Sequence, residues 1–215
     1  MAKTKVHTRY KTKDGIPVPG VTTITGQLDK PALVYWAWDL GTKGIDYKKY
    51  TDDKAEIGTL AHDMVICHLT GKEPNLSDYS QNQIDKAENA LISYFAWEKG
   101  KDIEVIFAEK PLVSEEWKYG GQPDILALVD GIITLLDLKT GKAIYPEMVY
   151  QLSAYDRLIA ECEKETISEH MILRIGRDET EGFDVKPFTG KQVETAWKVF
   201  KNLLDIYHLR KEIAA

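Results

Sequence analysis

Two hydrophobic periods run through this chain, and the shorter one organises it. Residues 121–141 read GQPDILALVDGIITLLDLKTG, with apolar runs at 125–129 and 132–136 on either side of Asp130-Gly131. Asp-Gly between strand-like runs predicts a hairpin with a two-residue turn. That turn fixes the register: Val129 faces Ile132, Ala127 faces Thr134, and Asp124 faces Asp137. Alternation along the second strand puts Lys139 on the same face as Asp137. Ile125, Ala127 and Val129 occupy one face of the first strand and Leu126 and Leu128 the other. Both faces are therefore apolar, and the pattern predicts a sheet covered on both sides.

The longer, helical period appears on either side of this hairpin. Residues 53–69 carry Ile57, Leu60, Ala61, Met64 and Val65 at helical spacing and stop at Thr70-Gly71. Residues 81–99 repeat the pattern with Ile84, Ala87, Leu91, Tyr94 and Phe95. A helix from Tyr145 or Pro146 to about Cys162 follows the hairpin and sets Gln151 and Tyr155 one turn apart. The last helix, 191–209, has an apolar stripe of Val193, Trp197, Phe200, Leu204 and Tyr207. Residues 103–107 and 110–113 read as one strand or a bent pair with Glu109 between them, strands are expected at 167–175 and 182–185, and a turn is expected at Gly120-Gly121. At the N-terminus, residues 6–18 predict a small hairpin around Lys13-Asp14-Gly15. Residues 21–28 fit either a short helix or an irregular run. Residues 32–40, behind Pro31, carry Leu33, Tyr35, Trp36 and Trp38. Such aromatics are more often core than a stacking surface for bases. The order helix, three strands, helix, strand over 81–175 is that of an α/β layer fold with helices on both faces of a mixed sheet. A single domain is expected, with an N-terminal hairpin and helical part at 1–80 and a closing strand and helix at 176–215.

The facing aspartates raise a chemical question. Like charges directly opposed across a strand pair destabilise it, and an unpaired charge in a covered sheet is costly. An isolated Asp-x-Lys is ordinarily a solvated strand end with a surface ion pair. Two opposed acids with a lysine beside them fit a divalent cation better, and carboxylates and carbonyls suit Mg²⁺ or Mn²⁺. His62 lies one helical turn from Gly58, which leaves room beside it for another backbone or a ligand; alone, such a histidine is usually structural.

Composition narrows the class. The chain has 215 residues, 43% hydrophobic and 29% charged, with a net charge of −6, as expected of a soluble globular protein with a real core. That charge argues against a broad nucleic-acid-coating surface, although Lys3, Lys5, Arg9, Lys11 and Lys13 form a local basic segment. That segment reads equally well as a solvated, frayed terminus. No apolar run spans a bilayer, and the basic N-terminus lacks the apolar stretch of a secretory signal. Cys67 and Cys162 are the only cysteines and form neither a disulfide framework nor a zinc or iron–sulfur set. An intracellular, cytoplasmic location in a bacterial, archaeal or phage-infected cell is expected, without membrane association.

Pro123-Asp124 followed by Asp137-Leu138-Lys139 is a PD-(D/E)xK signature, flanked by Gly58-x-x-x-His62, Glu109, Gly121-x-x-Asp124 and Gln151-x-x-x-Tyr155. This ordered set, over residues 58–155, resembles the RecB-type branch of the PD-(D/E)xK nucleases, which includes phage exonucleases and CRISPR-associated RecB-like exonucleases. The resemblance implies a restriction-endonuclease-like αβββαβ core. It also implies that Asp124, Asp137, His62 and the main-chain carbonyl of Leu138 bind one or two Mg²⁺ or Mn²⁺ ions. Lys139 would orient and help deprotonate the attacking water or stabilise the developing charge. Glu109 would support the metal site, and Gln151 and Tyr155 would steady the lysine and the scissile phosphate. The cysteines that hold an iron–sulfur cluster in some relatives are missing, so no cluster is expected. No G-x-x-x-x-G-K-[ST] loop is present, so neither a nucleotide cofactor nor a fused helicase motor is expected.

The function expected from the resemblance is a metal-dependent DNA exonuclease acting on ends or single strands in recombination, repair or phage DNA processing. A recombination or helicase protein is a possible partner. A structure-selective endonuclease on the same core, an inactive DNA-binding scaffold and an RNA-directed nuclease are the alternatives.

Overall fold

The structure, a computed structural model, describes residues 8–214. In chain order its elements are β1 (Tyr10–Lys11), β2 (Pro17–Val18), α1 (Val21–Thr25), α2 (Pro31–Thr42), α3 (Tyr47–Thr70), α4 (Gln81–Glu98), β3 (Ile103–Ala108), β4 (Leu112–Val113), β5 (Gly120–Gly121), β6 (Ile125–Val129), β7 (Ile132–Lys139), α5 (Pro146–Cys162), β8 (Glu169–Ile175), β9 (Phe183–Phe188) and α6 (Gly190–Ile213).

The β6–β7 hairpin forms in the expected register, with Val129 opposite Ile132 and Ile125 opposite Leu136. Asp130 and Gly131 both have positive φ, 52° and 82°, the turn geometry that matches the right-handed twist of a hairpin. Around it the sheet runs β3-β6-β7-β8-β9. Every neighbouring pair is antiparallel except β7 and β8, which α5 joins as a crossover. The sequence α4-β3-β6-β7-α5-β8 is the αβββαβ order expected of the restriction-endonuclease-like core. A two-stranded β4–β5 ribbon is inserted between β3 and β6.

Each strand of the hairpin feeds two cores, which is why its sequence is apolar on both faces. Leu126 and Leu135 pack with Leu152 and Leu158 of α5, Trp197 and Phe200 of α6, and Ile24 of α1. Ile125, Ala127, Leu136 and Leu138 pack with Leu60, Met64 and Val65 of α3 and with Ala87 and Tyr94 of α4. Burying this much apolar surface at about 25 cal/mol per Å² is the main force holding the layers together.

Several boundaries differ from those expected. Helix α3 begins earlier because the Asp46 carboxylate caps it, accepting from the Lys49 backbone N–H at 2.9 Å. The segment expected at 32–40 is α2, which starts at Pro31 and runs through Gly41 to Thr42. Gly120-Gly121 is a strand paired with β4, not a turn, and residues 21–25 are helical. β9 extends to Phe188 because Thr189 is the cap that starts α6. The largest correction concerns the α2 aromatics. Tyr35 and Trp38 are 75% and 71% exposed, so they are surface and not core. Leu40 is the buried residue of this helix, which stands outside both cores. The N-terminal hairpin is present as β1 and β2; its residues 6 and 7, with Lys3 and Lys5, lie outside the described residues. No described helix is long and apolar enough to cross a membrane.

Candidate active site

The hairpin places its acids as its register requires. Asp124 precedes Ile125 and Asp137 follows Leu136, and those two residues are paired. By alternation both acids lie on the α5 side of the sheet, with Leu126 and Leu135. The Asp124 Oδ2 accepts from the Leu138 backbone N–H at 2.8 Å, which ties one strand end to the other. Asp124 is also held from β3, where the Glu109 N–H donates to its carbonyl at 2.9 Å. Glu109 adopts a left-handed conformation, φ 48°, and so leaves the β3 strand directly beside Asp124.

Asp137 is the central oddity. It is fully buried. Its carboxylate lies close to the Lys139 ammonium as an ion pair, yet neither oxygen has a hydrogen bond of ordinary geometry among the described residues. Burial pushes the carboxyl up from 3.8 to about 6; Lys139 opposes this and Asp124 adds to it. Burial by itself would lower the Lys139 ammonium, but Asp137 and Asp124 outweigh it and raise it. Lys139 also donates to the Leu138 carbonyl at 3.4 Å.

Two helices complete the site. From α5, Gln151 Nε2 donates to the Tyr155 hydroxyl at 2.8 Å. The Tyr155 phenol is held well above its usual value, by burial first and then by Asp124 and Asp137, so it stands within the field of both acids. From α3, His62 Nδ1 lies 3.8 Å from Asp124 Oδ2. The structure thus gathers His62, Asp124, Asp137, Leu138, Lys139, Gln151 and Tyr155 at one end of the hairpin, with the Glu109 backbone bonded to Asp124.

The donor set fits a hard divalent cation. A buried carboxylate with incompletely satisfied oxygens and a second carboxylate across the strand pair match the oxygen preference of Mg²⁺ and Mn²⁺, with one imidazole nitrogen nearby. Among the described residues no three His, Cys, Asp or Glu side chains are grouped so that they could hold a metal ion by themselves. Mg²⁺ commonly binds one or two carboxylates and completes its shell with water and substrate phosphate, so an open site is the form such an ion takes.

Other contacts carried little or no sequence signal. A Cβ on Gly58 would lie 2.6 Å from Thr140 Oγ1. The glycine therefore admits the residue after Lys139, not a ligand, and brings α3 against the end of β7. A Cβ on Gly121 would meet Tyr155 at 2.7 Å, so this glycine makes room for the tyrosine ring. The motif spacing Gly58-x-x-x-His62 and Gly121-x-x-Asp124 was the available hint. Arg174 had none. It pairs in register with Lys139 on β8, and its guanidinium donates to the Gly141 carbonyl at 3.2 Å and to the carbonyls of Glu181 and Gly182. The β8–β9 turn is in turn fastened to α3: Arg177 pairs with Glu181 at 2.6 Å and donates to the Lys54 carbonyl at 3.0 Å.

Comparison with protein-family models and with curated proteins finds no match. Solved structures give distant likenesses. A candidate exonuclease from Eubacterium rectale shares 14% identity at a TM-score of 0.40, over 87% of this chain and 72% of that one. The alkaline exonuclease LHK-Exo from Laribacter hongkongensis shares 15% identity at a TM-score of 0.36, over 72% of this chain and 83% of that one. Its complex with dAMP aligns with a TM-score of 0.35 at the same identity and coverage. At this level of likeness, function has to be argued from the site alone.

Proposed function

We propose that this chain is a metal-dependent deoxyribonuclease of the PD-(D/E)xK type, an exonuclease of the RecB-like branch without an iron–sulfur cluster, which hydrolyses phosphodiester bonds at DNA ends or in single strands. One observation carries the reading. Asp137 is buried without a full set of hydrogen bonds, opposite a second acid and beside a lysine; that arrangement costs stability and matches what cation-assisted phosphodiester hydrolysis requires.

Asp124, Asp137, His62 and the Leu138 carbonyl would hold Mg²⁺ or Mn²⁺, which when bound lowers the pKa of water and offsets charge on phosphoryl oxygens. The remaining roles belong to the protein. Lys139, kept protonated by the two acids, supplies a positive charge where the pentavalent oxyanion develops and orients the attacking water. Gln151 and Tyr155, hydrogen-bonded to each other, form a fixed polar wall on α5 that steadies Lys139 and the scissile phosphate. Glu109 braces Asp124 through its backbone. The two cores on either side of the hairpin hold these groups within the small tolerance that orientation effects demand.

The test uses end-labelled single- and double-stranded oligonucleotides with Mg²⁺ or Mn²⁺. Nucleotide release that is abolished in Asp124→Ala and Lys139→Ala supports the assignment, and release that persists in either variant refutes it. Circular single-stranded DNA stays intact if the enzyme is an exonuclease and is cut if it is an endonuclease. Calorimetric titration with Mn²⁺ should show binding to the wild type that is lost in Asp137→Ala; no binding to the wild type would leave a scaffold.

A further inference from the structure

Helix α2 has a surface that the site so far does not use. Of its 12 residues Leu40 is the buried one, while Val34, Tyr35 and Trp38 are 70%, 75% and 71% exposed. Positions 34, 35 and 38 are neighbours on one side of a helix. Exposed aromatics in a cluster call for an explanation that scattered ones do not.

The helix is nevertheless fixed in place. Trp36 packs edge-on against Tyr47 and Tyr50 of α3, at 5.4 and 5.8 Å between ring centroids. Lys30, its N-cap, pairs with Glu147 in the first turn of α5 at 2.7 Å. α2 therefore bridges the beginnings of α3 and α5, the two helices that bring His62 and Gln151 to the acids. The loop after Lys139 leads into the start of α5 at Pro146. It carries the exposed Lys142 and Tyr145, which is 50% exposed and caps α5 two residues before Glu147. Lys142 and Tyr145 thus follow the active-site lysine along the chain, and the Lys30–Glu147 pair joins the end of this loop to the start of the helix that exposes Tyr35 and Trp38.

We propose that Tyr145, Tyr35 and Trp38 form a base-stacking rim that binds the single-stranded segment of a DNA substrate next to the scissile phosphate. The inference rests on the nuclease reading. Its chemistry is that of single-strand binding: every base has a π-face, whereas a duplex buries those faces in its own stack. Lys142, an exposed cation in the same loop, matches the backbone charge that accompanies the bases. The occupant is therefore unpaired nucleotides and not a duplex or a second protein.

The test measures anisotropy of a labelled oligo(dT) of about 12 nucleotides, a length suited to single-strand sites, with the full chain in EDTA. Its comparison is a blunt hairpin duplex. Stacking of ordinary strength predicts that Tyr35→Ala, Trp38→Ala and Tyr145→Ala each weaken oligo(dT) binding by about tenfold. Duplex binding should be unchanged and Trp38→Phe should restore the affinity. Unchanged oligo(dT) affinity overturns the proposal, as does an equal loss on duplex. So does a wild type that self-associates through this face while Trp38→Ala is monomeric with undiminished oligo(dT) affinity. Hydrolysis of the p-nitrophenyl ester of thymidine 5′-phosphate with Mn²⁺ reports the chemistry without neighbouring bases and should not change in the rim variants. If the wild type does not hydrolyse it, the nuclease reading fails, while the rim still stands or falls on the anisotropy.

Discussion

Asp137→Asn is the most informative single change, because it should make the protein more stable in the absence of metal while removing the proposed cation site. Asparagine keeps the shape of the side chain and removes the charge. Burial raises the folded-state pKa of Asp137 from 3.8 to about 6. Below 3.8 the acid is protonated whether the chain is folded or not, and folding carries no charge penalty. As pH rises through 6 the folded chain has to hold a buried carboxylate, and the penalty becomes complete. At about 1.4 kcal/mol per pH unit of displacement, the penalty at neutral pH is about 3 kcal/mol. For a chain of this size that is a rise of roughly 6–12 °C in melting temperature on substitution. The assay is urea unfolding of wild type and variant in EDTA at pH 7.5, 6 and 4.5. The variant should be more stable at pH 7.5, and its advantage should shrink steadily as pH falls. Adding Mn²⁺ should then stabilise the wild type by mass action and leave the variant where it was. A variant no more stable than wild type at pH 7.5, or an advantage that does not depend on pH, would refute the buried-charge account of this site.

Two further changes probe how the site is held together. Gly58→Ala should push α3 from the end of β7, since its Cβ would sit 2.6 Å from Thr140 Oγ1; a cost of about 1–3 kcal/mol is expected, with weaker Mn²⁺ binding, and the double variant with Thr140→Ala should recover both in unfolding and calorimetric titration. Arg177→Met should be more damaging, because it strands Glu181, whose side chain is 2% exposed, at a cost of about 3–5 kcal/mol. Burial by itself would raise the Glu181 carboxyl, but its bonds to Arg177 outweigh that and hold it low. Its stabilising contribution is therefore present above 4.5 and lost as pH falls through its folded value. In unfolding experiments from pH 7 to 3 that part of the acid limb should be missing from Arg177→Met.

The sequence alone determined whatever depends on neighbours along the chain. Asp130-Gly131 set the turn, the turn set the register, and the register brought Asp124 opposite Asp137 with Lys139 on the same face. Helical period located α4 and α5 closely, missed the first turns of α3 and the last turn of α6, and set Gln151 and Tyr155 one turn apart. Only tertiary packing could decide the rest, because it depends on surfaces that meet from distant parts of the chain. Tyr35 and Trp38 look like core in a list of residues and are exposed because α2 docks through Lys30, Trp36 and Leu40. Nothing near Arg174 in the sequence points to the Gly141 carbonyl, and Gly58 signals close approach without naming Thr140 as what approaches. Above all, the sequence could place two acids together but not the degree to which they are cut off from water. That seclusion comes from two helical layers closing over both faces of one hairpin, and it turns a pair of aspartates into a candidate cation site.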